Sequence, residues 1–330
     1  MFSINLIIVV VLLALLFDYV NGFHDTTNAI ASAVATKALQ PGAAILMAAI
    51  LNFMGAVSGT AVAAVIGQSI INPHFIEPQA LIAALGGAII WNLITWYLGL
   101  PSSSSHSLIG GMAGGVLVSA GPGFINWYGL LLIIAVLLIT PFISFLAGGL
   151  IMKLLLLLLT NTSPTVTNDN LRKFQVLSSA MASFAHGSND AQKSMGIITM
   201  ALISGGMLGD FFVPLWVKIS CAATMAAGTA MGGWRIIRTI GQQIFHIKPA
   251  NGFAADLSAA IIIYSASLSG FPVSTTHVVS SAIIGAGAAK RMRGVRWITA
   301  VNILIAWLIT IPAAGITAMI IYLVIQSGLL

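Results

Sequence analysis

Two aspartates, Asp25 and Asp190, sit in polar patches that match each other. Asn21-Gly22-Phe23-His24-Asp25-Thr26-Thr27-Asn28 returns as His186-Gly187-Ser188-Asn189-Asp190-Ala191-Gln192-Lys193, at an offset of 165 residues. Two hydroxyl-rich patches pair in the same way: Pro101-Ser102-Ser103-Ser104-Ser105-His106 returns as Pro272-Val273-Ser274-Thr275-Thr276-His277, at an offset of 171. A run of Ser and Thr that opens a helix after a Pro joins O–H donors to the unpaired backbone N–H groups of a positive helix end, which makes an oxyanion site. A carboxylate in an apolar segment, with a glycine three residues before it, suits a locally unwound helix whose freed carbonyls can hold a cation or a proton. Each feature also has a plainer reading. The hydroxyls could be helix caps and small packing residues, and the aspartates could cap a break or pair with a buried base. Duplication at matching positions favours binding, because paired polar breaks in hydrophobic segments point to a transporter's substrate site. His24, His106, His186 and His277 are either proton carriers or hydrogen-bonded core groups. Asp18 and Asp256, also close to apolar segments, have no evident assignment.

These patches need elements to carry them. The 330 residues are 58% hydrophobic and 6% charged, with a mean hydropathy of +1.04, which excludes a soluble domain and describes a polytopic membrane protein. At about 20 apolar residues per span, the chain parses into two related halves. The first holds a helix over 4–37 broken at 21–28, a helix over 42–71, an arm over 80–99, the tip at 101–106, a return arm to 119 and a span over 128–158. The second repeats the plan over 174–203, 211–240, 252–269, the tip at 272–277, a return arm to 289 and a span over 298–326. Gly59-Thr60 against Gly228-Thr229 and Pro141 against Pro312 are weaker echoes. The fold expected is therefore all-α and polytopic, with two inverted-topology repeats, each with broken helices and a re-entrant hairpin. Residues 1–159 form the first repeat, 160–173 a polar cytoplasmic linker and 174–330 the second.

Charge tests this parse. Eleven of thirteen basic residues (Lys37, Lys153, Arg172, Lys173, Arg235, Arg238, Lys248, Lys290, Arg291, Arg293 and Arg296) fall on one face, with Glu77 and Asp210 on the other. The positive-inside rule makes the basic face cytoplasmic and places both termini outside. The exceptions, Lys193 and Lys218, lie within apolar spans. In this setting the net charge of +6 reflects loop asymmetry and gives no reason to expect nucleic acid. The leading apolar run from Ile4 to Phe17 lacks a basic start and a small-residue cleavage site, so it reads as retained. The single Cys221 gives no intrachain disulfide. If one hairpin enters from each side, the two tips meet near the midplane and enclose one tetrahedral anion. A hydrolase built on Ser105-His106 would gain nothing from duplication, and a passive channel has no need of paired buried aspartates.

At these residues the chain resembles the inorganic phosphate transporter (PiT) family, whose hallmark is a duplicated GANDVANA-like motif in inverted halves; the resemblance spans essentially the whole chain. It implies phosphate contacts from Ser103, Ser104, Ser105, Ser274, Thr275 and Thr276, and coupling roles for Asp25, Asn28, Asn189 and Asp190. His24 and Lys193 depart from the family pattern, which has Asn at both places. An imidazole is a poor ligand for a hard cation, and an ammonium can occupy such a cation's place electrostatically. Both departures work against sodium, and the form NGFHDT with HGSNDxQK looks like the bacterial branch that moves phosphate with protons, much of it as a neutral metal-phosphate complex. The resemblance thus implies a symporter of the cell (inner or plasma) membrane with no resident cofactor or metal. Its partners are inorganic phosphate, a coupling cation (proton or sodium), a divalent metal as optional cargo, and the lipid bilayer; a homodimer is left open. A sodium-coupled symporter or a sulfate permease on the same fold are the alternatives, since sulfate differs from phosphate chiefly in having no proton to donate.

Overall fold

The computed structural model describes residues 4–160, 164–232 and 247–328, so Arg235 and Arg238 of the charge count lie outside the described residues. Its described helices are α1 (Ile4–His24), α2 (Thr26–Ala35), α3 (Pro41–Val57), α4 (Ala61–Ser69), α5 (Pro78–Tyr97), α6 (Ser104–Ser119), α7 (Trp127–Leu158), α8 (Pro164–Ser204), α9 (Leu215–Met231), α10 (Pro249–Leu268), α11 (Thr275–Arg291) and α12 (Trp297–Gln326). The described residues include five helices long and apolar enough to cross a membrane, or six if the bent pair α3–α4 counts as one span. Large apolar side chains such as Phe142, Leu146 and Leu150 of α7 and Ile298, Leu308 and Ile316 of α12 face outward. That is the surface a bilayer demands, and the chain is a multi-pass membrane protein.

Three elements differ from the expectation. The first motif is marked by one residue outside the helices, Asp25, whose N–H still bonds Asn21 O at 2.8 Å. The second is not broken at all, because α8 runs unbroken from Pro164 to Ser204. It begins inside the expected linker and passes through residues 186–193. With no proline inside it and residues 186–193 buried, keeping the i→i−4 ladder is the cheapest way to satisfy the backbone, so no carbonyl is freed there. The break falls instead between α3 and α4, which meet at 65°. There Gln192 Oε1 accepts from Val62 N at 2.8 Å and Ala63 N at 3.4 Å, satisfying orphan donors of the new helix.

The hairpins α5–α6 and α10–α11 share one turn. Gly99 and Gly270, both with positive φ (68° and 78°), end α5 and α10, and the next residue bonds back to Thr95 O or Ala266 O. This is the Schellman stop, and Pro101 and Pro272 follow it. Ser103 and Ser274 then cap the return arms, each accepting from the N–H three residues on, at 3.1 and 3.2 Å.

The halves interlock. The return arm α6 packs on α12, and α11 packs on α7. Likewise α1 packs on α9, and α3 on α8. A Cβ on Gly228 would stand 2.0 Å from Tyr19 O, and one on Gly55 would stand 2.1 Å from Phe184 O. Tyr19 and Phe184 are 165 residues apart, so Gly55 rather than Gly59 is the counterpart of Gly228. Pro141 and Pro312 both lie inside helices, α7 and α12. Contacts also sort the loops. Thr36 bonds Gln175 at 2.7 Å, and Asn251 bonds Ala286 O at 3.2 Å and reaches Met152 Sδ at 3.6 Å, gathering the segments that carry Lys37, Lys153, Lys173, Lys248 and Lys290. At the opposite end Tyr322 donates to Glu77 at 2.9 Å.

Gly55→Ala should force α3 away from α8 and cost about 1–3 kcal/mol, lowering the thermal midpoint of the detergent-solubilised protein. Gly42→Ala, where a Cβ would meet nothing within 4 Å, should leave it unchanged or raise it slightly. Equal midpoints for the two variants would contradict the close-packing account.

Candidate functional site

The hairpin tips touch. Ser105 Oγ of α6 donates to Val273 O in the turn before α11, at 2.9 Å. His106 and His277 lie with ring centroids 4.3 Å apart, and His277 stacks on Trp307 at 3.7 Å. Trp307 Nε1 in turn donates to Pro101 O at 3.1 Å. The two tip histidines are thus part of a packed aromatic column behind the tips. Of the six hydroxyls the sequence singles out, Ser103 and Ser274 spend their oxygens as caps. Ser104, Ser105, Thr275 and Thr276 point at the two motifs, and all six are buried.

The motif residues meet these four hydroxyls. Thr276 Oγ1 donates to Asp25 Oδ1 at 2.7 Å and accepts from Asn28 Nδ2 at 2.7 Å. Thr275 Oγ1 donates to Asp190 Oδ2 at 3.0 Å. Lys193 Nζ donates to Ser105 Oγ at 2.6 Å, to Val273 O at 3.0 Å, and to Asp190 Oδ1. Under the two offsets Asn28 corresponds to Lys193 and Thr276 to Ser105, so these contacts are the same contact made twice. Each aspartate has a basic neighbour. His24 Nδ1 lies 2.8 Å from Asp25 Oδ1, and a carboxylate only accepts, which assigns the proton to Nδ1. Asp190 has Lys193, with His186 Nε2 at 3.2 Å from Oδ2 but not aligned as a hydrogen bond.

Asn189 does something else. Its Nδ2 donates to Ser267 Oγ and Phe271 O, both at 3.1 Å, and its Oδ1 accepts from Val273 N at 3.1 Å. These three bonds buckle the second tip to α8. His24, its counterpart, holds the first tip through Ser102 at 3.5 Å and Thr95 at 3.3 Å.

Sequence reasoning passed over Asn21, Asn52 and Gln192. Asn21 Nδ2 donates to Ser104 Oγ at 2.8 Å and to Asp190 Oδ2 at 3.4 Å, tying α1 to both the first tip and the second motif. Asn52 donates to Thr26 and Thr229 at 2.8 and 3.0 Å and accepts at Oδ1 from His186 Nδ1 at 3.1 Å, which orients that ring. The signal that marks them is an uncharged amide in the middle of an apolar run, which is costly unless partnered. Asp256 bonds Ser32 of α2, and Asp18 bonds Ser194 of α8. No cluster of three His, Cys, Asp or Glu side chains suited to a metal ion occurs among the described residues. An open cavity of about 630 Å³ near Asn72, His74 and Asp210 is lined by none of the candidate residues. What the tips can do chemically is surround an anion with hydroxyls, helix-end N–H groups and one ammonium, next to carboxylates able to accept a proton or a cation.

A family model described as the phosphate transporter family matches residues 21–169 and 159–318. The chain is 46% identical over 324 residues to a Bacillus subtilis protein named "Probable low-affinity inorganic phosphate transporter", covering 97% of each. It is 44% identical over 319 residues to a Rhizobium meliloti protein of the same name, covering 96% of each. A solved structure named "The sodium-dependent phosphate transporter" superposes with a TM-score of 0.89 at 25% identity, over 98% of this chain and 100% of that one. On these matches the chain is a transporter, not an enzyme, and it belongs to the phosphate transporter family.

Proposed function

We propose that the chain is a secondary active transporter that imports inorganic phosphate across the cell's inner membrane by proton symport. The observation that carries the proton reading is Lys193. Its ammonium lies between Asp190 and Ser105, at the position where the other half has the amide of Asn28. A fixed cation there removes the reason for a sodium ion, and unbroken α8 offers no loosened carbonyls to ligate one. The family match and the names of the two relatives support phosphate as the substrate. Phosphate rather than sulfate also suits the chemistry, because Asp25 and Asp190 can accept from a protonated phosphate oxygen and sulfate has no such proton. A divalent ion travelling with the phosphate would be cargo.

The mechanism rests on competition for hydroxyls. Thr276 and Thr275 now donate to Asp25 and Asp190. An anion between the tips takes those O–H donors together with the Lys193 ammonium. The carboxylates, each left with fewer donors in an apolar setting, then need a proton in exchange. Substrate and proton therefore bind together. The reciprocal packing of α6 with α12 and α11 with α7 supports two inverted repeats, 1–159 and 174–330, joined through 160–173. Gathering of the basic segments at one end supports a cytoplasmic assignment for that end, with both termini outside. Sodium coupling is the second reading, favoured by the sodium dependence that the solved neighbour carries in its name. Labelled phosphate uptake into proteoliposomes under separately imposed proton and sodium gradients decides between them, with sulfate run in parallel; accumulation that follows sodium alone overturns the proposal.

Ser104→Ala and Thr275→Ala each remove a charge-assisted hydrogen bond worth roughly 1.5–3 kcal/mol, so apparent phosphate affinity should fall about tenfold or more with folding intact. Unchanged affinity in both variants would remove the tips from the substrate site. Asp25→Asn and Asp190→Asn keep the shape and lose the titratable charge. Gradient-driven uptake should collapse in both, and wild-type accumulation by either would reduce that aspartate to a structural part. Lys193→Met leaves Asp190 buried without its ammonium partner, at a cost of about 3–5 kcal/mol, and should abolish transport. Lys193→Asn should weaken proton-driven uptake and admit sodium dependence. A Lys193→Met protein that transports with wild-type proton dependence would make Lys193 a packing residue.

A further inference from the structure

Resting on the proton-coupled reading, we infer that Asp18 holds the coupling proton while the tips are closed. The motif carboxylates each have a basic side chain against them, Asp190 the Lys193 ammonium and Asp25 the His24 ring. Asp18 has no such contact among the described residues. It is fully buried in α1, its Oδ1 accepts from Ser194 Oγ at 2.6 Å, and its Oδ2 has no partner. The groups facing it can be named from each packed element. α8 presents Ser194, Asp190 and Lys193, α9 presents Cys221, and α5 has no titratable residue but the exposed Tyr97. The lysine is committed to Asp190, Ser105 and Val273. A bare carboxylate oxygen in such a place forfeits its solvation with nothing in return, whereas a proton on Oδ2 removes the charge.

A second observation points the same way. Asn21 lies one turn further along α1, on the same face, and its Oδ1 is also buried and unpartnered while its Nδ2 reaches Ser104 and Asp190. Two orphan acceptors one turn apart lead from Asp18 to the substrate tips. Asp25 follows on the same face, two turns or about 10 Å beyond Asp18. Asp256 differs, since both its oxygens reach Ser32 Oγ, at 2.7 and 2.5 Å, within a Ser32–Gln175–Thr36 network. In the transfer no bond other than O–H changes. The proton leaves Asp18 Oδ2 as the carboxylate forms, and an acceptor at the tips, a motif carboxylate or phosphate itself, gains it.

The test starts with the wild type in proteoliposomes that report internal pH. Phosphate accumulation driven by sodium and not by protons ends the underlying reading before Asp18 is touched. With proton drive established, Asp18→Asn should retain labelled phosphate exchange to within about twofold, lose about tenfold or more in proton-driven accumulation, and show a flattened pH profile. An Asp18→Asn protein with wild-type accumulation and pH profile overturns the inference. Ser194→Ala keeps the carboxyl and removes a donor to its ionised form, so the pH midpoint of uptake should rise, by about one unit. This variant decides the matter if Asp18→Asn does not fold, and an unmoved midpoint overturns the inference.

Discussion

A charge buried where no water can reach it must be met by another, and the centre of this protein is arranged around one such pair, Lys193 and Asp190. Losing one partner of a buried pair leaves the other uncompensated, at about 3–5 kcal/mol, so the surrounding groups are fixed by their duty to the pair. Lys193 also holds Ser105 of the first hairpin and the Val273 carbonyl of the second. Asp190 Oδ2 accepts from both Thr275 of the second tip and Asn21 of α1. The positions of both tips, of α1 and of α8 are thus consequences of satisfying two charges.

The joints differ in strength. Along the arms, α6 against α12 and α11 against α7, helix backbones pack at the distance of bare glycine contacts, as where a Cβ on Gly114 would stand 2.3 Å from Gly315 O or one on Gly285 would stand 2.0 Å from Phe145 O. Such packing is rigid and transmits strain. At the tips the contacts are side-chain hydrogen bonds, each contributing about 0.5–1.5 kcal/mol net, or somewhat more where charged. An anion competes for those bonds and not for the packed arms. The weakest joint of each hairpin therefore lies where the substrate is proposed to act, and opening there disturbs the least of the fold.

Much of this was legible in the sequence because duplication leaves a register. The arms, tips and final spans of both halves fall within a few residues of their expected bounds, since length and hydropathy dictate spans and Pro with Ser punctuates the tips. The polar breaks were harder to read. Gly22 and Gly187 suggested unwinding, yet a glycine in a helix permits close approach as readily as a break, and only the neighbouring helix decides which. The 65° bend before α4 was missed because its cap comes from Gln192, 130 residues away. The roles of Asn189 and Asn21 were invisible for the same reason, since nothing local says which tip an amide will hold.

The two halves keep one geometry and split its chemistry. Each presents a motif aspartate, a residue three positions on that reaches a tip hydroxyl, and a residue one position back that grips a hairpin. In the first half these are Asp25, Asn28 and His24; in the second, Asp190, Lys193 and Asn189. A symmetric site with two amides and two bare carboxylates would carry two negative charges toward an anion, and the repulsion would have to be cancelled by bound cations. In this chain the Lys193 ammonium supplies one such charge itself, and the His24 imidazole stands against Asp25. Divergence between the copies therefore places on the chain itself a cation and a ring donor that a symmetric pair of amides would lack.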